Sequence, residues 1–137
     1  QTWSVPKEWQ TDATQQSFAS PTFSHVDGKV WVKNSDRAQI FRLTPATSAW
    51  ENFGTFTDPQ TKKSIGSYGI NADHNNNLYM LDFNGEGIGA DGATKKLDFV
   101  RTAIRNSRPR RGSVDAQNRL WFAEYDGNAI GVLDSKT

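Results

Sequence analysis

Short apolar runs alternate with polar turns along the whole chain, and one such arrangement recurs three times. Val30-Trp31-Val32 is followed by Gln39-Ile40-Phe41-Arg42-Leu43 and then Ala46-Thr47. Leu78-Tyr79-Met80 leads in the same way to Gly87-Ile88-Gly89-Ala90 and Ala93-Thr94. Leu120-Trp121-Phe122 leads to Ala129-Ile130-Gly131-Val132-Leu133 and Lys136-Thr137. The step from aromatic to isoleucine is nine residues in every copy: 31 to 40, 79 to 88, 121 to 130. Upstream of each aromatic lies a further run and a turn: Thr22-Phe23-Ser24-His25-Val26 before Asp27-Gly28-Lys29, Gly69-Ile70-Asn71-Ala72 before Asp73 to Asn77, and Gly112-Ser113-Val114 before Asp115 to Arg119. Downstream come Ala49-Trp50-Glu51-Asn52-Phe53 and Leu97-Asp98-Phe99-Val100. Alternating runs bounded by Asp, Asn and Gly predict short antiparallel strands joined by hairpin turns. Helical periodicity is absent; the nearest candidate, Val100 to Arg105, is too short to count.

Each repeat thus offers four short strands, and aromatics spaced 48 and 42 residues apart fall in the roughly 40–50-residue range of propeller blades. The predicted class is all-β: three four-stranded β-propeller repeats. Residues 1–19 form a leader in which Thr2-Trp3-Ser4-Val5-Pro6 reads as the outer strand of a preceding or closing blade. Residues 20–66, 67–110 and 111–137 form the three blades, the last stopping before its fourth strand. Propellers usually hold about 4–8 blades. The expected partner is therefore the remainder of a larger propeller or further copies of the chain, and a segment of a larger propeller is the favoured reading.

Composition narrows the function classes. An apolar share of 35% with eight Phe, five Trp and three Tyr supplies a folded core. A net charge of +1 gives no overall field for nucleic acid or anionic membrane, and no apolar run approaches the ~20 residues of a membrane helix. The absence of cysteine removes disulfides and thiolate chemistry. Gln1 as first residue suits an exported protein whose leader was removed, and another cleavage or boundary would look the same; the expected location is periplasmic or extracellular.

The third copy, Gly112-Ser113-Val114-Asp115-Ala116-Gln117-Asn118-Arg119-Leu120-Trp121-Phe122-Ala123-Glu124 with Gly127-Asn128-Ala129-Ile130-Gly131-Val132-Leu133-Asp134, resembles the blade repeat of the virginiamycin B (streptogramin) lyases and their propeller relatives. That resemblance implies elimination chemistry on a cyclic depsipeptide or lactone, with a histidine base and a Mg²⁺ ion at the mouth of the central channel. The family's histidines stand at a blade start, in P-H-[AG]-I. The matching positions here are Tyr68 before Gly69-Ile70, Arg111 before Gly112-Ser113, and Ser20 or Pro21 in the first copy. None is histidine, so no catalytic residue is assigned. The family's acidic position is kept as Glu124 and Asp82, with Asn34 in the first copy; Glu124 and Asp82 are the metal-ligand candidates that the resemblance implies. Two function classes follow. One is a non-catalytic segment that binds a ligand or partner, the other a part of a Mg²⁺-dependent lyase whose base lies on blades outside this chain.

Other motifs weigh less. The glycines 85, 87, 89 and 92 lack the following helix that a phosphate loop needs, and the repeat places them on a blade turn and strand. Asp73-His74-Asn75-Asn76-Asn77 begins like a calcium loop but lacks its glycine and closing acid, and aligns with a hairpin turn. His25 and His74 have no partner placed to orient them. Trp31, Tyr79 and Trp121 are expected in the core, Trp50 on an outer strand, and Trp9 as an exposed ring that marks a docking surface. Arg101, Arg105, Arg108, Arg110 and Arg111 crowd eleven residues without an acid. They read either as a solvated interblade loop or as a site for carboxylate or phosphate, with Arg108, Arg110, Arg111 and Tyr68 as its residues.

Overall fold

The alternation becomes three antiparallel sheets in the computed structural model, which describes residues 1–9, 19–23, 26–34, 39–83, 87–91 and 97–134. The first sheet runs in chain order through β1 (Ala19–Phe23), β2 (Val30–Asn34), β3 (Gln39–Thr44) and β4 (Ala49–Thr55). The second repeats this with β5 (Ser67–Ala72), β6 (Leu78–Asp82), β7 (Gly87–Asp91) and β8 (Leu97–Arg101). The third holds β9 (Pro109–Val114), β10 (Arg119–Glu124) and β11 (Ala129–Asp134). Among the described residues no helix is long and apolar enough to cross a membrane. Trp50 lies on outer strand β4, and Gly87 to Asp91 is a blade strand as the repeat implies.

The nine-residue step is a register. Ile40 pairs with Lys33, Ile88 with Leu81 and Ile130 with Ala123, so each isoleucine faces the residue two beyond the aromatic. Because side chains alternate across a strand, each sheet has one face toward the preceding blade and one toward the following blade. Trp31 and Ile40 of the first sheet pack with Ile70, Leu78 and Met80 of the second, and Phe56 and Ile65 of the connection join them. Tyr79 and Leu81 then pack with Leu120 and Phe122 of the third. Each such side chain contributes roughly 1.5–3 kcal/mol on leaving water. The turns tie the blades together at one end. Asn76 and Asn118, both left-handed at φ 64°, reach back to the preceding blade. Asn76 donates to Asp27 and accepts from Trp31 Nε1; Asn118 donates to Asp73 and accepts from the His74 N–H.

Several expectations shift. The first strand is Ala19–Phe23 rather than Thr22 to Val26, because Phe23 pairs with Val30 and leaves Val26 to Gly28 for the turn. The third blade begins at Pro109, which pairs with Glu124, so Arg110 belongs to that blade and not to residues 67–110. Thr2 to Pro6 is not a strand; it leads into a single 3-10 turn, Lys7–Trp9. Trp9 is no exposed docking ring, since it stacks on Phe41 at 5.8 Å and 1°, and Trp3 Nε1 donates to Ser48 Oγ. Trp121 is not core. It is 41% exposed where its register equivalent Trp31 is fully buried, and beside it Ile130 and Val132 are 76% and 50% exposed. The reason is geometric: the face that carries them is covered by a following blade, and β9–β11 is the last sheet.

Candidate functional site

The opposite end of the blades, where first strands begin, gathers the candidate residues. β5 and β9 each carry a bulge there, between Ser67 and Gly69 and opposite Phe122/Ala123. Bulges re-aim side chains at strand ends. Asp73 and Asp115 both fold their turn by accepting N–H groups two and four residues on. Counted from these two carboxylates, Tyr68 and Arg110 both stand five residues upstream. The count sets Arg110 at the position of Tyr68, whereas the ladder leaves Tyr68 and Arg111 as the bulged residues, Arg110 pairing with Ala123 as Gly69 pairs with Leu81; both arginines stand at the blade start.

Arg110 holds the centre. Its guanidinium carbon lies 4.0 Å from the Tyr68 ring centroid, 5.1 Å from Tyr125 and 5.3 Å from Phe83. The three rings form a bent row, with Tyr68 to Phe83 at 5.4 Å and Phe83 to Tyr125 at 5.9 Å. Arg111 stands 5.7 Å from the Tyr68 centroid and buried Lys33 Nζ 6.0 Å from it. Arg108 covers Phe83 at 4.0 Å and donates its Nε–H to the Phe83 carbonyl. Arg108 and Arg111 both hold left-handed backbone, φ 51° and 43°, a region that disfavours residues with a Cβ.

The electrostatics follow from the crowding. The Arg110 and then the Arg111 guanidinium beside the Tyr68 hydroxyl lower its pKa below the ordinary tyrosine value, since nearby cations favour the phenolate. Desolvation lowers the Lys33 pKa, opposed by Tyr68. The arginine cluster divides. Arg101 is bound to Asp58, with both oxygens of that carboxylate at 3.0 Å, and Arg108 pairs with Asp126 at 3.4 Å. Arg105 is exposed. Arg110 and Arg111 have no carboxylate partner among the described residues, and the Arg110 Nε is buried with no acceptor.

Asp82 and Glu124 occupy equivalent ends of β6 and β10, and both are buried. Asp82 Oδ1 accepts the Gly66 N–H at 2.9 Å. Glu124 Oε2 is buried without a partner, while Oε1 lies 3.0 Å from the place a Cβ on Gly131 would take. Among the described residues no three His, Cys, Asp or Glu side chains come together. Mg²⁺ wants near-octahedral oxygen donors, and the strand beside Glu124 brings cationic Arg110 instead. These residues do not make a Mg²⁺ site by themselves.

Asp73 offers no free calcium-loop oxygen. Oδ1 accepts the N–H groups of Asn75 and Asn77, and Oδ2 faces Asn77 Nδ2, Tyr79 Oη and Asn118 Nδ2. His74 is exposed on the same turn; His25, Gly85 and Gly92 lie outside the described residues. Sequence reasoning missed Lys33, Phe83 and Tyr125. A signal for the two rings was present: each directly follows the acidic residue that ends the second strand, as Asp82-Phe83 and Glu124-Tyr125.

No family model and no curated protein matches the sequence. Solved structures do. The chain is similar to virginiamycin B lyase from Staphylococcus aureus, at 25% identity and a TM-score of 0.70, over 88% of this chain and 39% of that one. A catalytically inactive variant of virginiamycin B lyase from the same organism, solved with quinupristin, matches at 23% identity and 0.72, over 97% and 41%. A streptogramin B lyase structure matches at 19% and 0.53, over 86% and 51%. The chain therefore spans about two fifths to a half of those structures. The shared fold is the lyase-like β-propeller, of which this chain is a three-blade segment.

Proposed function

We propose that this segment acts as a binding part of a lyase-like propeller and does not itself carry out elimination. The observation that carries this reading is the pair of blade-start positions. Where a proton-abstracting histidine is called for, Tyr68 and Arg110 stand instead, the guanidinium carbon 4.0 Å from the ring centroid. An arginine stays protonated at any working pH and cannot take up the proton, and at the other position a tyrosine stands in place of histidine. The buried acids Asp82 and Glu124 support the same reading, since they come without a third donor among the described residues. The setting that goes with this proposal is periplasmic or extracellular.

A second reading rests on the likeness to the lyase structures. The chain would be part of a metal-dependent lyase whose base and metal ligands come from other blades, with Glu124 Oε2 as one oxygen left to give. Both readings expect this segment alone to leave the cyclic substrate intact, and one experiment tests that expectation. The chain is incubated with quinupristin and Mg²⁺, and the mixture is followed by chromatography for the ring-opened isomer. The binding reading expects the cyclic form unchanged; ring opening that rises with protein concentration would remove it.

A further inference from the structure

We infer that the mouth formed by Arg110, Arg111, Tyr68 and Tyr125 binds the carboxylate group of an organic ligand. This deepens the binding reading above and rests on it.

Four of the arginines show what this chain does with a guanidinium it intends to keep structural. Arg42 holds Glu51, Arg101 holds Asp58, Arg108 holds Asp126 and Arg119 holds Asp115, each with a nitrogen 2.7 to 3.4 Å from a carboxylate oxygen. Arg110 is treated differently. It is half-buried, its guanidinium carbon lies 4.0 Å from the Tyr68 and 5.1 Å from the Tyr125 ring centroid, and its Nε–H meets no acceptor among the described residues. A buried donor left unmade carries a free-energy cost, and the described residues supply no acceptor for it. The missing element is an acceptor.

The surroundings specify which acceptor. Arg111 and Lys33 add positive charge around the same Tyr68 ring, so the acceptor is anionic. A guanidinium whose face lies against a ring presents its N–H edge, and that edge matches a planar carboxylate with two parallel bonds. Beside it stand the half-open rings of Tyr68, 42% exposed, and Tyr125, 56% exposed. They offer an apolar wall to the body of an organic acid, which inorganic phosphate does not use. The left-handed backbone at Arg108 and Arg111 holds the segment in this shape at a local cost.

The test is a titration of the whole chain, ¹⁵N-labelled, with benzoate, followed through the Arg Nε–Hε signals at constant ionic strength. Inorganic phosphate and chloride are titrated in parallel. A saturable benzoate shift at Arg110 and Arg111 that weakens at least about tenfold in Arg110→Ala supports the site; tenfold corresponds to about 1.4 kcal/mol. Arg110→Lys, which keeps charge and loses the fork, is expected to weaken it nearly as much. Should Arg110→Ala disturb the backbone spectrum, exposed Arg111→Gln serves instead, with a smaller loss. No saturable benzoate shift, or one no stronger than that of phosphate, overturns the proposal. The outcome is separable from the quinupristin test. Ring opening there removes the non-catalytic reading whatever benzoate does, and a flat benzoate titration without ring opening removes only the carboxylate site.

Discussion

Replacing Asp73 by Asn tests whether the turn-to-turn hydrogen bonds hold neighbouring blades together. The substitution keeps the shape and removes the charge at a carboxylate only 2% exposed. The amide oxygen can take over Oδ1, whose two N–H donors from Asn75 and Asn77 lie at 2.8 Å. The amide nitrogen then replaces Oδ2 and meets two other amide nitrogens, Asn77 Nδ2 at 2.8 Å and Asn118 Nδ2 at 3.3 Å. The Tyr79 hydroxyl can turn and accept, since it is both donor and acceptor. Two charge-assisted bonds are lost, each worth about 1.5–3 kcal/mol. Asn77 and Asn118 are half-buried and recover part of this from water, so the expected loss is about 2–3 kcal/mol. Urea unfolding followed by tryptophan fluorescence reads it as a lower midpoint at unchanged slope. A cycle with Asn118→Gly, which tolerates φ 64° without the side chain, isolates the interblade part and should show coupling above about 0.5 kcal/mol. Asp73→Asn within about 0.5 kcal/mol of the parent would refute the reasoning. So would a calcium-induced rise in stability that Asp73→Asn abolishes, for then the loop is a metal site and not a turn.

Three further outcomes are expected. Ile40 and Ile130 hold the same repeat position at 0% and 76% exposure, so Ile40→Ala should cost about 2–5 kcal/mol in urea unfolding and Ile130→Ala no more than about 0.5; equal effects would contradict the bare face of the third blade. In Gly131→Ala the new Cβ would lie 2.3 Å from Phe122 Cζ, an overpacking worth about 1–3 kcal/mol that Phe122→Leu should relieve in the double variant. The Trp121 Nε1–H, then the Arg119 N–H and guanidinium, overcome partial desolvation and hold the Asp115 carboxyl well below the usual carboxylate range. The stability this contributes is therefore full above the unfolded value near about 3.9 and is lost as pH falls toward the folded value. Asp115→Asn should flatten the acid limb of urea stability measured between about pH 5 and pH 2, and an unchanged limb would count against it.

How far the sequence carried the structure depends on what each feature needs. The strands and their pairing were legible because they are local: alternation marks them, Asp and Asn fold the turns, and the aromatic-to-isoleucine step is the register itself. The mouth residues Tyr68, Arg108, Arg110 and Arg111 were legible as types in a place, but not as an arrangement. Asp27 lies three residues before Val30, whereas Asp73 and Asp115 lie five before Leu78 and Leu120. With bulges in β5 and β9 as well, the equivalent of Tyr68 falls on Arg110 by count and on Arg111 by register, which alignment on glycines alone does not show. Lys33 was out of reach for another reason. Its neighbour Tyr68 is 35 positions away and belongs to the next blade, so only packing brings them together. Trp121 shows the sharpest limit. Periodicity says which face a ring points to, and it does not say whether another sheet covers that face.

That last point bears on how the propeller is completed. The two outer faces of this segment are not equivalent. On the first blade, Val32, Phe41 and Leu43 share the face away from the second blade, and they are already 6%, 1% and 5% exposed, with Trp9 stacked on Phe41. On the third blade, Trp121, Ile130 and Val132 are bare. Closing a ring from two copies head to tail would set the bare face of one against the covered face of the other. Apolar association draws on surface removed from water, and the covered side has little left to give unless the Lys7–Trp9 turn moves aside. A further blade with its own uncovered aliphatic face, such as the one that Leu78 and Met80 present to Trp31 and Ile40, meets no such obstacle. The physical asymmetry thus favours completion by more blades over completion by a second copy, in keeping with a chain that spans about two fifths of the lyase structures it resembles.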